Sequence, residues 1–193
     1  ICARNIRVSN PKEELVPLRL AGSDFYAGAN FDSNAEGHFN VMAAEHRDQE
    51  FTERTLAAML DLHALAVGEY RLIYNAPHGG ASIPWNLHLK TSNERFQVED
   101  LPEGFEERYP TTLRRFSDGA GSALDFVDDW RRRDPAHHRV NALVAGPPAS
   151  PTIHVFPRDT RRSHASAQGL MGGFERCGDF VYSEPDKRHT FET

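Results

Sequence analysis

The densest chemistry in this 193-residue chain lies between Asn75 and Lys90. Asn75-Ala76-Pro77-His78-Gly79-Gly80-Ala81-Ser82 is a loop of small residues, where a ligand or another backbone can come close and amide N–H groups are left to meet an anion. Behind it, Ile83 to Leu89 reads as a strand. Two-residue alternation then sends Asn86, His88 and Lys90 to one face, and Leu87 and Leu89 to the other. An imidazole with an amide on one side and an ammonium on the other suits a nucleophilic or acid–base histidine beside a cation that neutralises phosphate oxygens. A solvent-facing strand with an incidental histidine explains the same pattern, and these residues by themselves leave both readings open.

Other side chains also carry two readings. His78, just before the two glycines, touches a phosphate or is a surface loop histidine. Asn75 recognises a ribose or closes a turn. Arg158 follows a strand and a proline, where a guanidinium clamps a phosphate with two hydrogen bonds or forms a surface ion pair. His38 and His46 bind substrate or a structural metal, or pack at strand ends; with His154 they are too scattered to make a zinc site. The two cysteines, Cys2 and Cys177, build neither a disulfide scaffold nor a four-thiolate metal site and read as free thiols in a reducing compartment. No metal and no cofactor is expected. The chain carries no Walker loop, no dinucleotide-binding glycine spacing, no HExxH and no serine nucleophile elbow.

The elements that must position these groups are legible in outline. Leu15 to Leu20 looks like a short strand with an edge proline, Pro17, inside a first thirty residues that otherwise read as irregular. His38 to Ala43 alternates as a strand. From Thr52 to Val67 the apolar positions Leu56, Met59, Leu60, Leu62, Leu65 and Ala66 recur at helical spacing, with Thr52 as N-cap and Gly68 as stop. Tyr70 to Tyr74 is a strand. A helix over about Ala120–Arg132 places Leu124, Phe126, Val127 and Trp130 near one face and ends in three arginines, which suit a solvated last turn. Val140 to Ala145 and Thr152 to Phe156 are strands, and residues 165–193 form a polar C-terminal segment. Strands and helices mix without βαβ alternation, which predicts an α+β domain over 1–193 with a mostly antiparallel sheet and flanking helices.

Composition excludes several classes. A net charge of −6 lacks the basic footprint of a nucleic-acid binder. Twelve phenylalanines and two tryptophans call for a packed core, and no apolar run is long enough to cross a bilayer. A soluble, cytoplasmic protein with a small-molecule ligand, no nucleic acid and no membrane is therefore expected.

The run from Tyr74 to Lys90 resembles the active-site segment of the histidine-triad superfamily. The nearest branch holds galactose-1-phosphate uridylyltransferase with the dinucleoside-polyphosphate and GDP-sugar phosphorylases. That branch has a Gly-Ala-Ser loop followed by His-x-His-x-Gln with x apolar, and its second histidine forms a nucleotidyl intermediate that phosphate or a sugar phosphate resolves. Two further stretches fit in order. His38-Phe39-Asn40-Val41 with Glu45-His46-Arg47-Asp48-Gln49 resembles the upstream strand and His-x-x-Gln segment, and Val155-Phe156-Pro157-Arg158 resembles the downstream Phe-Pro-Arg strand.

The resemblance spans about Phe31 to Arg162 and implies the histidine-triad fold, a nucleotide or sugar-phosphate substrate and, since family members often dimerise, a homodimer as an assembly to test. It gives His88 the nucleophile's place, with Asn86 where the first histidine stands and Lys90 where the glutamine stands. It implies phosphate and substrate binding by Asn75, His78, Gly79, Gly80, Ala81, Ser82 and Arg158. Asn86 keeps a hydrogen-bonding group. Lys90 is a point charge that holds phosphate oxygens and lowers the basicity of a neighbouring imidazole. The departures leave three functions open: a retuned nucleotidyltransferase or phosphorylase, a non-catalytic nucleotide- or phosphosugar-binding descendant, and an enzyme repurposed to use His88 as a general base.

Overall fold

The computed structural model describes residues 14–29, 37–77, 81, 85–109, 111–135 and 139–157. Its strands are β1 (Val16–Leu20), β2 (Ser23–Ala29), β3 (Phe39–Ala43), β4 (Arg71–Tyr74), β5 (His88–Ser92), β6 (Arg114–Phe116), β7 (Val140–Ala145) and β8 (Thr152–Pro157). Among the described residues two α-helices, α1 (Glu53–Leu65) and α2 (Ala120–Arg133), separate them. Among the described residues the eight strands form one sheet in the order β1-β2-β3-β5-β4-β7-β8-β6. Every neighbouring pair is antiparallel, so the expected α+β class with an antiparallel sheet is the one observed.

Residues 16–29, expected to be irregular apart from one short strand, form a complete hairpin in which Leu20 pairs with Ser23. The cause is the two-residue turn Ala21-Gly22, with φ of 45° and 70°. Two left-handed residues give a turn whose twist matches the strands on either side. Pro17 lies on β1, which is an edge of the sheet, where a missing N–H is tolerated.

Helix α1 begins and ends as its sequence dictates. The Thr52 side chain accepts the Thr55 N–H at 3.2 Å, and the chain leaves the helix through Val67 and Gly68, at φ of 52° and 74°. Its apolar stripe of Leu56, Met59 and Leu62 packs with Ala123 and Val127 of α2 on one face of the sheet, against Val41, Leu72, Leu89, Ala142 and Val144. Each buried Leu, Met or Val among them contributes roughly 1.5–3 kcal/mol. The opposite face has its own apolar cluster, in which Phe96, Val98, Tyr109 and Leu113 cover Ile73, Leu143, Ala145 and Phe156. The polar stretch after β5 is thus a lid over the β4-β7-β8 half of the sheet. At the end of α2, Arg132 and Arg133 pair with Asp129, while Arg131 turns inward and donates to the Phe51 carbonyl at 2.8 Å. No helix among the described residues is long and apolar enough to cross a membrane.

Candidate active site

The expected strand over Ile83–Leu89 is displaced. β5 starts at His88 and runs to Ser92, and Asn86 lies in a bend before it. The partners decide this. Val41 of β3 faces Leu89, and Ile73 of β4 faces Lys90, so pairing on both sides holds the chain from His88 onward. His88 and Lys90 do share one face. Lys90 lies across from Ile73, which belongs to the cluster away from the helices, so the imidazole also faces away from α1 and α2.

The solvent-facing alternative does not hold, for His88 is 3% exposed and Asn86 1%. Leu87 between them is clamped on both sides. Its N–H donates to the Arg47 carbonyl at 2.7 Å and its carbonyl accepts the Ala43 N–H at 2.9 Å. The bend that carries Asn86 is therefore fixed to the end of β3.

Nδ1 of His88 lies 3.0 Å from the carbonyl oxygen of Asn86. A carbonyl only accepts, so Nδ1 carries the hydrogen and Nε2 holds the lone pair. Nε2 is buried and meets no hydrogen-bond partner among the described residues. Burial, the largest influence, lowers the His88 pKa below the ordinary imidazole value; the Asn86 hydrogen bond works the other way, and the Lys90 ammonium lowers it further. The ring is neutral at pH 7, with its free nitrogen able to act as nucleophile or base. His38, also buried, is held down to about 4 by burial and by Lys90.

Two residues outside the expected site set hold this geometry. Gln49, 1% exposed, donates to the carbonyls of Asn75 (2.8 Å) and His88 (3.0 Å) and accepts the His88 N–H at 2.8 Å. Its own carbonyl accepts the Tyr74 hydroxyl at 2.9 Å. Asn141, in the apolar strand β7, accepts the Ala76 N–H at 2.9 Å. Gln49 sits in the stretch that matches His-x-x-Gln, and Asn141 is the one polar residue of Val-Asn-Ala-Leu-Val-Ala, so both had a signal in the sequence.

The structure thus gathers Asn75, Asn86 and His88 at one end of the sheet around Gln49, with Lys90 one strand repeat further along. Ala81 follows the same loop, its N–H donating to the Ala76 carbonyl at 3.3 Å. His78, Gly79, Gly80, Ser82 and Arg158 lie outside the described residues. His154 is buried far along the same face, opposite Arg115 and Leu143, in no part of this cluster.

Residues 31–93, which include Gln49, Asn75, Asn86, His88 and Lys90, match a family described as a domain of unknown function, DUF4922. No curated protein sequence matches the chain. Among solved structures, the yeast Ap4A phosphorylase Apa2 in complex with Ap4A superposes with a TM-score of 0.60 at 12% identity, covering 96% of this chain and 88% of that one. The same yeast enzyme in complex with AMP gives 0.56 at 16% identity, covering 92% and 83%. At such identities the likeness shows the fold. That fold, with its antiparallel sheet and flanking helices, is the class expected from the sequence.

Proposed function

We propose that this protein is a nucleotidyltransferase or phosphorylase that acts on a nucleotide or nucleotide sugar through a nucleotidyl intermediate on His88. The observation that carries the reading is the commitment of Nδ1–H to the Asn86 carbonyl, which leaves a buried, unpartnered lone pair on Nε2. The solved neighbours, phosphorylases in complex with Ap4A and AMP, support a nucleotide as ligand.

In this mechanism Nε2 attacks the α-phosphorus of the substrate. The Nε2–P bond forms, the P–O bond to the leaving phosphate breaks, and its electron pair departs on that oxygen. The ring keeps its Nδ1 hydrogen and becomes a cation, which the Asn86 carbonyl stabilises through the hydrogen bond already in place. Phosphate, a sugar phosphate or water then attacks the same phosphorus from the opposite side and releases His88 neutral, with the nucleotidyl group on the acceptor. Lys90 and the loop amides expected from Gly79 to Ser82 hold phosphate oxygens, with Asn75 and Arg158 as further substrate contacts. Positioning and charge neutralisation supply most of the rate.

The test is to trap the intermediate. A nucleotide labelled at the α-phosphorus should leave an acid-labile, alkali-stable label on the wild-type protein, and His88→Ala should abolish both label and turnover. Turnover without a label, lost in His88→Ala, would instead make His88 a general base. Nucleotide binding that survives His88→Ala, with no turnover in either protein, would make the chain a binding protein. That second reading is favoured by Asn86 and Lys90 standing where the superfamily segment has histidine and glutamine.

A further inference from the structure

A cavity of about 830 Å³ lies at the opposite end of the sheet from His88, between the lid and the Gly146–Pro148 turn. His154 lines it from β8, on the lid side of the sheet. From His154 to Lys90 the register runs through Leu143 and Ile73, three strand spacings or about 14 Å. The apolar cluster of the lid covers Leu143 and Ile73, so the cavity and the His88 site are separate. Most charges in its wall are paired off. Arg71 donates to both oxygens of Glu99, at 2.9 and 3.1 Å. Arg115 donates to Glu106 and to the carbonyls of Leu101 and Pro102, and Arg95 pairs with Asp100.

A carboxylate beside every guanidinium counts against an anion, and three guanidinium groups count against a cation. Among the described residues no three side chains are placed to hold a metal. Hydrogen-bonding capacity remains, in balance. Arg115 spends three of its five N–H groups and keeps two. The exposed Glu103 carboxylate makes no ion pair among the described residues, and the Ser117 and Thr152 hydroxyls stand 3.5 Å apart. Burial, and then Arg115, keep the His154 ring neutral at pH 7, and its buried Nδ1 meets no partner among the described residues. Val67, Ala145, Pro147 and Pro148 add an apolar wall. A ring with hydroxyls on its edge and C–H groups on its face matches this lining, because each hydroxyl both donates and accepts and brings no charge. We infer that this cavity is a binding site for an uncharged sugar, which bonds through its hydroxyls to His154, Arg115 and Glu103 and lays its C–H face on Pro147 and Pro148. The site is independent of the chemistry proposed at His88.

Methyl-labelled valine and alanine place NMR probes in the wall, at Val67 and Ala145. Glucose, galactose, mannose, fructose and fucose are titrated one at a time, with sulfate and putrescine as charged controls. At least one sugar should shift both signals saturably, in wild type and in His88→Ala alike, while the controls leave them in place. His154→Phe and Glu103→Ala should each weaken that binding about fivefold or more, the scale of one lost hydrogen bond. Glu103 is exposed, so its replacement tests the site even where His154→Phe fails to fold. Silence from all five sugars, or a tighter response to sulfate or putrescine than to any sugar, would overturn the assignment. Sugar binding of wild-type strength in either folded variant would overturn it as well. A sugar response that persists while no nucleotide label forms on His88 would retire the transferase reading and leave this site standing.

Discussion

Gln49 grips the backbone of His88 at both ends: its Oε1 accepts the His88 N–H at 2.8 Å and its Nε2 donates to the His88 carbonyl at 3.0 Å. The register that pairs Ile73 with Lys90 would bring Asn75 opposite His88. At that point β4 and β5 are joined through the Gln49 side chain instead, which also donates to the Asn75 carbonyl. An amide from the segment before α1 thus acts as one rung of the sheet ladder, and it holds the residue whose ring points into the site.

Replacing that rung should be costly twice. Gln49→Leu strands the His88 N–H and two carbonyls in a buried place, and at roughly 1–3 kcal/mol for each group left unmet the protein should lose about 3 kcal/mol of stability after partial relaxation. Denaturant unfolding at pH 7 measures this. Where the variant is still folded, labelling of His88 should slow at least tenfold, because the ring has lost its support. Unchanged labelling would show that Gln49 serves stability alone.

The protonation of His88 makes a second expectation. Its pKa is lowered chiefly by burial, and Lys90 adds to the lowering. The ring is therefore neutral across the neutral range, and adduct formation should be flat there and decline only once the pH drops below the ordinary imidazole value of about 6.5. Lys90→Met removes one cause of the lowering, so the decline should begin at a higher pH. The same change removes a cation from the phosphates and should raise KM about tenfold, the order of one charge-assisted hydrogen bond. Single-turnover labelling at a series of pH values reads both, and a decline that moves down in Lys90→Met would refute the electrostatic account.

Much of this architecture is legible in the sequence, for local reasons. Helix α1 follows from 3.6-residue periodicity between an N-cap threonine and a stopping glycine, and β7 from a short apolar run broken only by Asn141, because those signals are complete within their own segments. The start of β5 is not. Ile83 to Leu89 alternates as a strand should, but where a strand begins depends on its partners β3 and β4, which lie outside the segment. The β1–β2 hairpin is hidden in the sequence because Ala21 stands at a position where asparagine or glycine is the usual sign of a tight turn. The histidine of the site was legible from its flanking motif. What holds it was harder to see, since the bonds of Gln49 reach residues 26 and 39 positions further along.

Two glycines separate backbone strain from crowding. Gly22 and Gly68 both sit at positive φ, +70° and +74°. A Cβ at Gly22 meets nothing within 4 Å, so Gly22→Ala should cost about 1 kcal/mol for the left-handed backbone alone. A Cβ at Gly68 lies 2.8 Å from Pro148 Cδ and 3.1 Å from the Gly146 carbonyl oxygen. Gly68→Ala must therefore push the Gly146–Pro148 turn away as well, at about 1–3 kcal/mol more. That turn also receives His63, whose Nε2 lies 2.8 Å from the Gly146 carbonyl. Chemical denaturation of the two variants side by side should rank Gly68→Ala clearly the less stable; equal losses would mean that the turn yields freely.

Acid should weaken the fold through histidines buried in neutral form. Burial, with a smaller contribution from Lys90, holds His38 down to about 4; burial and then Arg115 hold His154 down to about 4, against a weaker opposing pull from Glu106. In the unfolded chain both rings titrate near 6.5. Between those values the unfolded state binds protons that the native state refuses, so the free energy of unfolding falls as pH falls, and it gains nothing further above about 6.5. Nδ1 of His154 is buried and meets no partner among the described residues, so no hydrogen bond there favours its charged form. Urea midpoints should therefore be level from pH 8 to pH 7 and drop steadily from about pH 6 to pH 4.5. His154→Phe removes one such proton acceptor from the unfolded chain and should make that drop shallower. A wild-type midpoint that rises as the pH is lowered through this window would show that these imidazoles gain charge in the fold.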